Sequence, residues 1–151
     1  MPLSAVVLIL AWLWPNDERA IRKSLADLAR AASIRAGESA IGKIANANKV
    51  IEFFTQDITM QIDGINLHVN DRNDLREAVL AARSQLQRME VQFEEVHVTI
   101  EPGTRQALVY TIAVANIEGQ TNTLARELKV QLQKPERHWL ISKIESVVLG
   151  Q

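Results

Sequence analysis

Four segments in the second half of the chain, Glu94–Glu101, Gln106–Ile117, Leu124–Gln133 and His138–Leu149, read with a period of two, and in the first and third of them apolar and polar residues alternate. That period belongs to β-strands with one buried face, because successive side chains of a pleated backbone point to opposite sides. Turn residues separate the segments at Pro102-Gly103, at Glu118-Gly119 and from Lys134 to Arg137. Such a meander must bury one face of its sheet against another layer, and the first half of the chain supplies helices for it. Ile21, Leu25, Leu28 and Ala32 recur at helical spacing after a start signal at Pro15, Asn16 and Asp17 and before a stop at Gly37. A second helix carries Ile41, Ile44, Asn48, Ile51 and, off by a turn, Phe54 on one face. The period then changes to two. Ile58, Met60 and Ile62 lead through an Asp63-Gly64 turn to Ile65, Leu67 and Val69, which reads as a β-hairpin. Asp71 to Asp74, with Glu77 three residues on, opens a third helix through Leu75, Val79, Ala82 and Leu86.

The element order is therefore ααββαββββ. Helices segregated from a mainly antiparallel sheet of about six strands define an α+β domain. The 151 residues include 47% hydrophobic ones, and 17 Lys plus Arg oppose 18 Asp plus Glu, which suits one globular domain covering residues 16–151. A net charge of −1 without a long basic run gives no electrostatic ground for nucleic acid. The absence of cysteine removes disulfides and thiolate metal sites, and fits either redox compartment.

Residues 1–15 stand apart. From Leu3 to Trp14 only Ser4 is polar, yet a helix of that length reaches only about 18 Å, against about 30 Å for a bilayer core. A complete secretory signal is also not expected, since no Lys or Arg precedes the apolar run and Trp12, Trp14 and Pro15 occupy the place of a cleavage site. Three roles fit: part of an uncleaved membrane anchor, a docking arm for a membrane protein or other partner, and packing on the domain's own core. Indoles beside Pro15, Asn16 and Asp17 suit an interfacial position. The expected location is accordingly membrane-associated, in a bacterial envelope or periplasm rather than free cytoplasm.

The strands also speak about partners. Leu108, Tyr110, Ile112 and Val114 share one face of their strand, while Ala107, Val109, Ala113 and Ala115 make the other face apolar too. The last strand is similarly mixed, with Trp139, Ile141 and Val147 opposite Leu140, Ile144 and Val148. Three helices cover one side of a sheet, so a homodimer through the outer face is expected.

The helix end and first strand VIEFFTQDITMQIDG (Val50 to Gly64), the third-helix entry NDLREAV (Asn73 to Val79) and the final strand HWLISKIESV (His138 to Val147) occur in this order of elements. Together they resemble the nuclear transport factor 2-like superfamily, whose curved sheet wraps a long helix into a cone of the cystatin-like, ketosteroid isomerase and polyketide cyclase-like type. The resemblance covers roughly Asn16 to Leu149. It implies a cone cavity, but it does not carry over the isomerase chemistry: the position expected for the general base holds Ile62, and Asp63 falls one place further on the opposite face. Tyr110, the one tyrosine, could serve such a cavity only with a neighbouring acid, and none occupies the apolar face beside it.

Other constellations are weaker. Gly37 to Ile44 has the spacing of a phosphate loop, but Ile44 replaces the hydroxyl residue and a helix rather than a strand precedes it. His68, His97 and His138 lack metal-ligand spacing, and Glu95, His97 and Glu101 read as a polar stripe, so no metal and no cofactor is expected. Asn48 interrupts an apolar helix face, and a buried amide needs a hydrogen bond or a ligand. Asn48 and Tyr110 are the ligand-binding candidates for the cavity, with no catalytic residue assigned. The expected function is a non-enzymatic scaffold or binding module, membrane-associated through its N-terminus. The alternative is a small-molecule-binding or isomerase/cyclase-like enzyme using the cone cavity.

Overall fold

The structure, a computed structural model, describes residues 2–64 and 67–147, with side chains from residue 16 onward. Nine elements follow one another: α1 (Pro2–Ala32), α2 (Ala40–Ile51), β1 (Phe54–Ile62), β2 (Leu67–Val69), α3 (Arg72–Gln85), β3 (Met89–Ile100), β4 (Gln106–Ile117), β5 (Leu124–Gln133) and β6 (Leu140–Ser146). The order ααββαββββ and the α+β class are those expected. One sheet runs β2-β1-β6-β5-β4-β3, with β1 and β6 parallel and every other neighbouring pair antiparallel.

The first helix is longer than its start signal suggested. Pro15 lies inside a single helix of 31 residues, so the apolar stretch continues the helix that packs on the sheet. Proline inside a helix removes one backbone donor and costs about 3 kcal/mol, which makes it a start signal in sequence but not an absolute stop. Ile21, Leu25 and Leu28 are buried on this helix, as their spacing required. Among the described residues no helix is long and apolar enough to cross a membrane.

The second helix is rotated from its expected face. Ala47 and Val50 are buried, whereas Ile41 is 81% exposed, Ile44 is 47% exposed and Asn48 is exposed. Beside this buried side, Asn46 donates its amide to Glu38 at 2.7 Å. In the hairpin, Ile62 pairs with Leu67, so the connection has four residues rather than two, and Ile65 lies outside the described residues. The third helix caps three residues earlier than the Asp74–Glu77 box implied, at Asp71. Asp71 accepts from the Asp74 amide at 2.8 Å, and Asp74 accepts in turn from the Asn70 amide at 3.0 Å.

The core lies between the helices and the inner face of the sheet. Ile58 and Met60 of β1, Val109 of β4, Leu128, Val130 and Leu132 of β5, and Ile141 and Ile144 of β6 meet Ile21, Leu25, Leu28, Val50 and Leu75. Two bulges shift the expected phases. Between β5 and β6 the register slips beside Leu132, which lets Ile141 and Ile144 face inward together, although strict alternation put them on opposite sides. The expected places of Val148 and Leu149 lie outside the described residues. Between β3 and β4 the slip falls at Glu94 to His97, with Glu95 at φ 49°. There the Thr111 hydroxyl, 4% exposed, donates to the Glu94 carbonyl at 2.7 Å and satisfies the acceptor that the bulge takes out of the ladder.

Candidate functional site

Neither candidate for the cavity lines the interior. Asn48 is exposed on α2, and Tyr110 is 44% exposed on the sheet face away from the helices, opposite Lys129 on β5 and His97 on β3. The phase of β4 decides this: Ala107, Val109 and Thr111 are buried beneath the helices, which sends Tyr110 outward. Tyr110 instead borders a shallow cleft of about 150 Å³ with Glu95, His97, Ile112 and Glu127. Among the described residues, no three histidines or carboxylates come together in a way that could hold a metal ion.

A buried polar cluster, invisible in the hydrophobic pattern, holds the helices together. Arg83 of α3 is 2% exposed. Its guanidinium forks onto Glu38 at 2.9 and 2.8 Å and also donates to the carbonyls of Ala31 at 3.1 Å and Ser33 at 3.0 Å. One side chain therefore pairs a carboxylate and satisfies orphan carbonyls at the end of α1. The Arg83 hydrogen bonds hold the Glu38 carboxyl below the usual glutamate range, and the Asn46 amide adds to this against the opposing effect of burial. Glu38 belongs to the stretch whose spacing resembled a phosphate loop. Its neighbours are otherwise ordinary helix-entry residues, with Ser39 accepting from the Gly42 amide at 3.0 Å.

A second polar junction ties α1 to the far end of the sheet. Asp17 accepts from Lys134 and from the Trp139 indole, both at 3.2 Å, and Lys134 lies 5.9 Å from the centre of the Trp139 ring. A cleft of about 850 Å³ opens near this end between Thr55, Arg72 and the connection from Pro135 to His138. The Thr55 hydroxyl is buried there without a hydrogen-bond partner among the described residues.

The groove with the most consistent chemistry lies between α1 and the first half of β3. It has a volume of about 640 Å³. Leu25, Ala26 and Ala29 of α1 form one wall, and Met89, Val91, Phe93 and Val96 form the other. A short antiparallel bridge borders it, in which the Ile34 amide donates to Met89 at 2.7 Å and the Met89 amide to Ile34 at 3.0 Å. Ser33 beside it accepts from the Val91 amide at 3.0 Å, so the edge strand is pinned to the end of α1. Arg22, Arg30, Arg35 and Arg88 surround this apolar floor, with Glu90 as the acidic residue of the lining. This site is not legible in the sequence, because Arg88 lies more than fifty positions from Arg22, Arg30 and Arg35 and only the packing of β3 beside α1 brings them to one groove.

No family model matches the chain. No characterised protein matches it by sequence. Solved structures do match by shape. A nuclear transport factor 2-like protein with a cystatin-like fold from Novosphingobium aromaticivorans superposes with a TM-score of 0.70 at 14% identity, covering 94% of this chain and 88% of that one. A nuclear transport factor 2-like protein from Pseudomonas putida gives 0.69 at 10% identity, covering 91% and 89%. A protein with a cystatin-like fold from Nostoc punctiforme gives 0.65 at 13% identity, covering 86% and 89%. Three helices on a six-stranded mixed sheet, matched over nearly the whole chain at such low identity, establish shape rather than activity. The chain therefore has the nuclear transport factor 2-like, cystatin-like fold.

Proposed function

We propose that the chain is a non-catalytic binding module that works beside a membrane as a homodimer. The observation that carries this reading is the continuity of α1. Its Pro2–Ala32 span joins the apolar Leu3 to Trp14 stretch directly to Ile21, Leu25 and Leu28, which are buried in the core. Whatever surface takes up the stretch is thus coupled to the domain through a helix rather than a floppy linker. A run this apolar, followed by Arg19, Arg22 and Lys23, suits insertion into the interface of an anionic bilayer, as in an envelope membrane. Flotation with vesicles of phosphatidylcholine and phosphatidylglycerol tests it. The intact chain is expected to float, and a Val7→Glu/Leu10→Glu variant to remain at the bottom of the gradient; a wild-type chain that stays there as well would overturn the membrane reading.

The outer sheet face supports the dimer. Leu108, Ile112 and Val114 are only partly covered there and Tyr110 is largely open, within a rim of His97, Glu127, Lys129 and Gln131. An apolar strip inside a polar rim is the usual make-up of a protein interface. Light scattering is expected to give a dimer for the wild type and a monomer for Tyr110→Lys, and a wild-type monomer at high micromolar concentration would contradict it. The enzymatic alternative rested on Asn48 and Tyr110, both of which stand at the surface, while the inner sheet face presents Ile58, Met60, Val109, Leu128, Val130 and Ile144.

A further inference from the structure

The groove between α1 and β3 carries a like-charge arrangement that the protein itself does not explain. The antiparallel bridge pairs Ile34 with Met89, and the residues flanking that pair, Arg35 and Arg88, both belong to the lining of the groove. Arg22 and Arg30 have carboxylate partners in Glu18 and Asp27, but among the described residues neither Arg35 nor Arg88 forms an ion pair. Both are exposed, and both border a floor made of apolar side chains.

We infer that this groove binds a single-chain anionic amphiphile, its carboxylate or phosphate head held between Arg35 and Arg88 and its hydrocarbon body laid along Ala26, Val91 and Phe93. Guanidinium groups suit such a head because each can offer two parallel donors to an oxyanion. The head places a negative charge among the arginines of the lining, and the body takes apolar wall out of water. The groove's volume of about 640 Å³ falls within the range of ligand pockets, about 300–1,000 Å³. The inference stands apart from the membrane reading, since none of these residues belongs to the apolar N-terminal stretch.

Titration calorimetry on the full chain, with dodecyl phosphate kept below its micelle concentration, tests the site. Dodecyl phosphate is expected to bind at least about tenfold more tightly than either dodecanol or inorganic phosphate, since each of these lacks one half of the recognition. Two variants report independently: Arg35→Glu/Arg88→Glu reverses the head site, and Ala26→Trp fills the groove from an exposed position of α1. Each is expected to weaken binding by about tenfold or more. Equal binding of dodecanol or inorganic phosphate, unchanged affinity in a folded variant of either kind, or no binding by the wild type would overturn the inference. Competition by vesicles containing phosphatidylglycerol, but not by phosphatidylcholine alone, assigns the amphiphile to a bilayer source; its absence assigns it to a free one, and the site stands in both cases.

Discussion

Replacing Arg83 by alanine is expected to destabilise the fold by about 3–5 kcal/mol, the cost of removing one member of a buried ion pair. The loss is large because the guanidinium does several jobs at once. Without it, Glu38 keeps a charge in a side chain only 9% exposed, and the Ala31 and Ser33 carbonyls lose their donor at the end of α1. Urea unfolding measures the difference, with a midpoint shift at unchanged slope as the signature of lost stability. A Glu38→Leu/Arg83→Met variant is expected to recover part of the loss but not all, because the carbonyls of α1 remain unpaired. The pair also predicts a pH dependence. The folded-state pKa of Glu38 is lowered, so its contribution is fully present above the ordinary glutamate value and is lost as pH falls through the lowered one. Wild-type stability should therefore drop on acidification below about pH 4.3, the ordinary glutamate value, and the Glu38→Gln variant should show a shallower drop. An Arg83→Ala protein as stable as the wild type would show that the cluster is incidental.

Replacing Trp139 by alanine is expected to cost a comparable amount, about 3–5 kcal/mol, the range for emptying an aromatic site in a core. Trp139 is 6% exposed, and it fills the place where the start of β6 meets the middle of α1. Its indole also donates to Asp17, beneath the Lys134 ammonium. Trp139→Phe separates the two contributions. It keeps most of the apolar volume and loses the donor, so it should cost only about 1 kcal/mol, the net value of one hydrogen bond. If Trp139→Phe proves as damaging as Trp139→Ala, the hydrogen bond rather than the packing holds this junction.

The strands were legible because their information is local. Gln106–Ile117 and Leu124–Gln133 match β4 and β5 residue for residue, since a two-residue period bounded by glycine or polar turns leaves little choice of conformation. The buried face of α1 was legible for the same reason. Pro15 was read as a boundary because local propensity disfavours proline inside a helix, yet the helix continues through it. On α2 the apolar residues Ile41 and Ile44 form a helical stripe, but burial went to Ala47 and Val50. A short helix is turned by the partners it meets, here α1 and α3, and its own period does not say which side meets them.

The candidate site was hardly legible at all. Asn48 on α2 and Tyr110 on β4 each lie on one of two faces, and a local period says which residues share a face but not which face meets the other layer. Arg83 reads in sequence as a solvent residue of α3, because nothing local distinguishes a guanidinium in water from one enclosed by carbonyls. The sequence by itself determined the element order, the strand phases away from bulges and the apolar start of α1, all consequences of neighbouring residues and backbone geometry. Only the tertiary structure decided the bulges at Glu94 and Leu132, the rotation of α2, the burial of Arg83 and the presence of Arg35 and Arg88 in one groove. Those depend on contacts between residues tens of positions apart, whose energies no local period encodes.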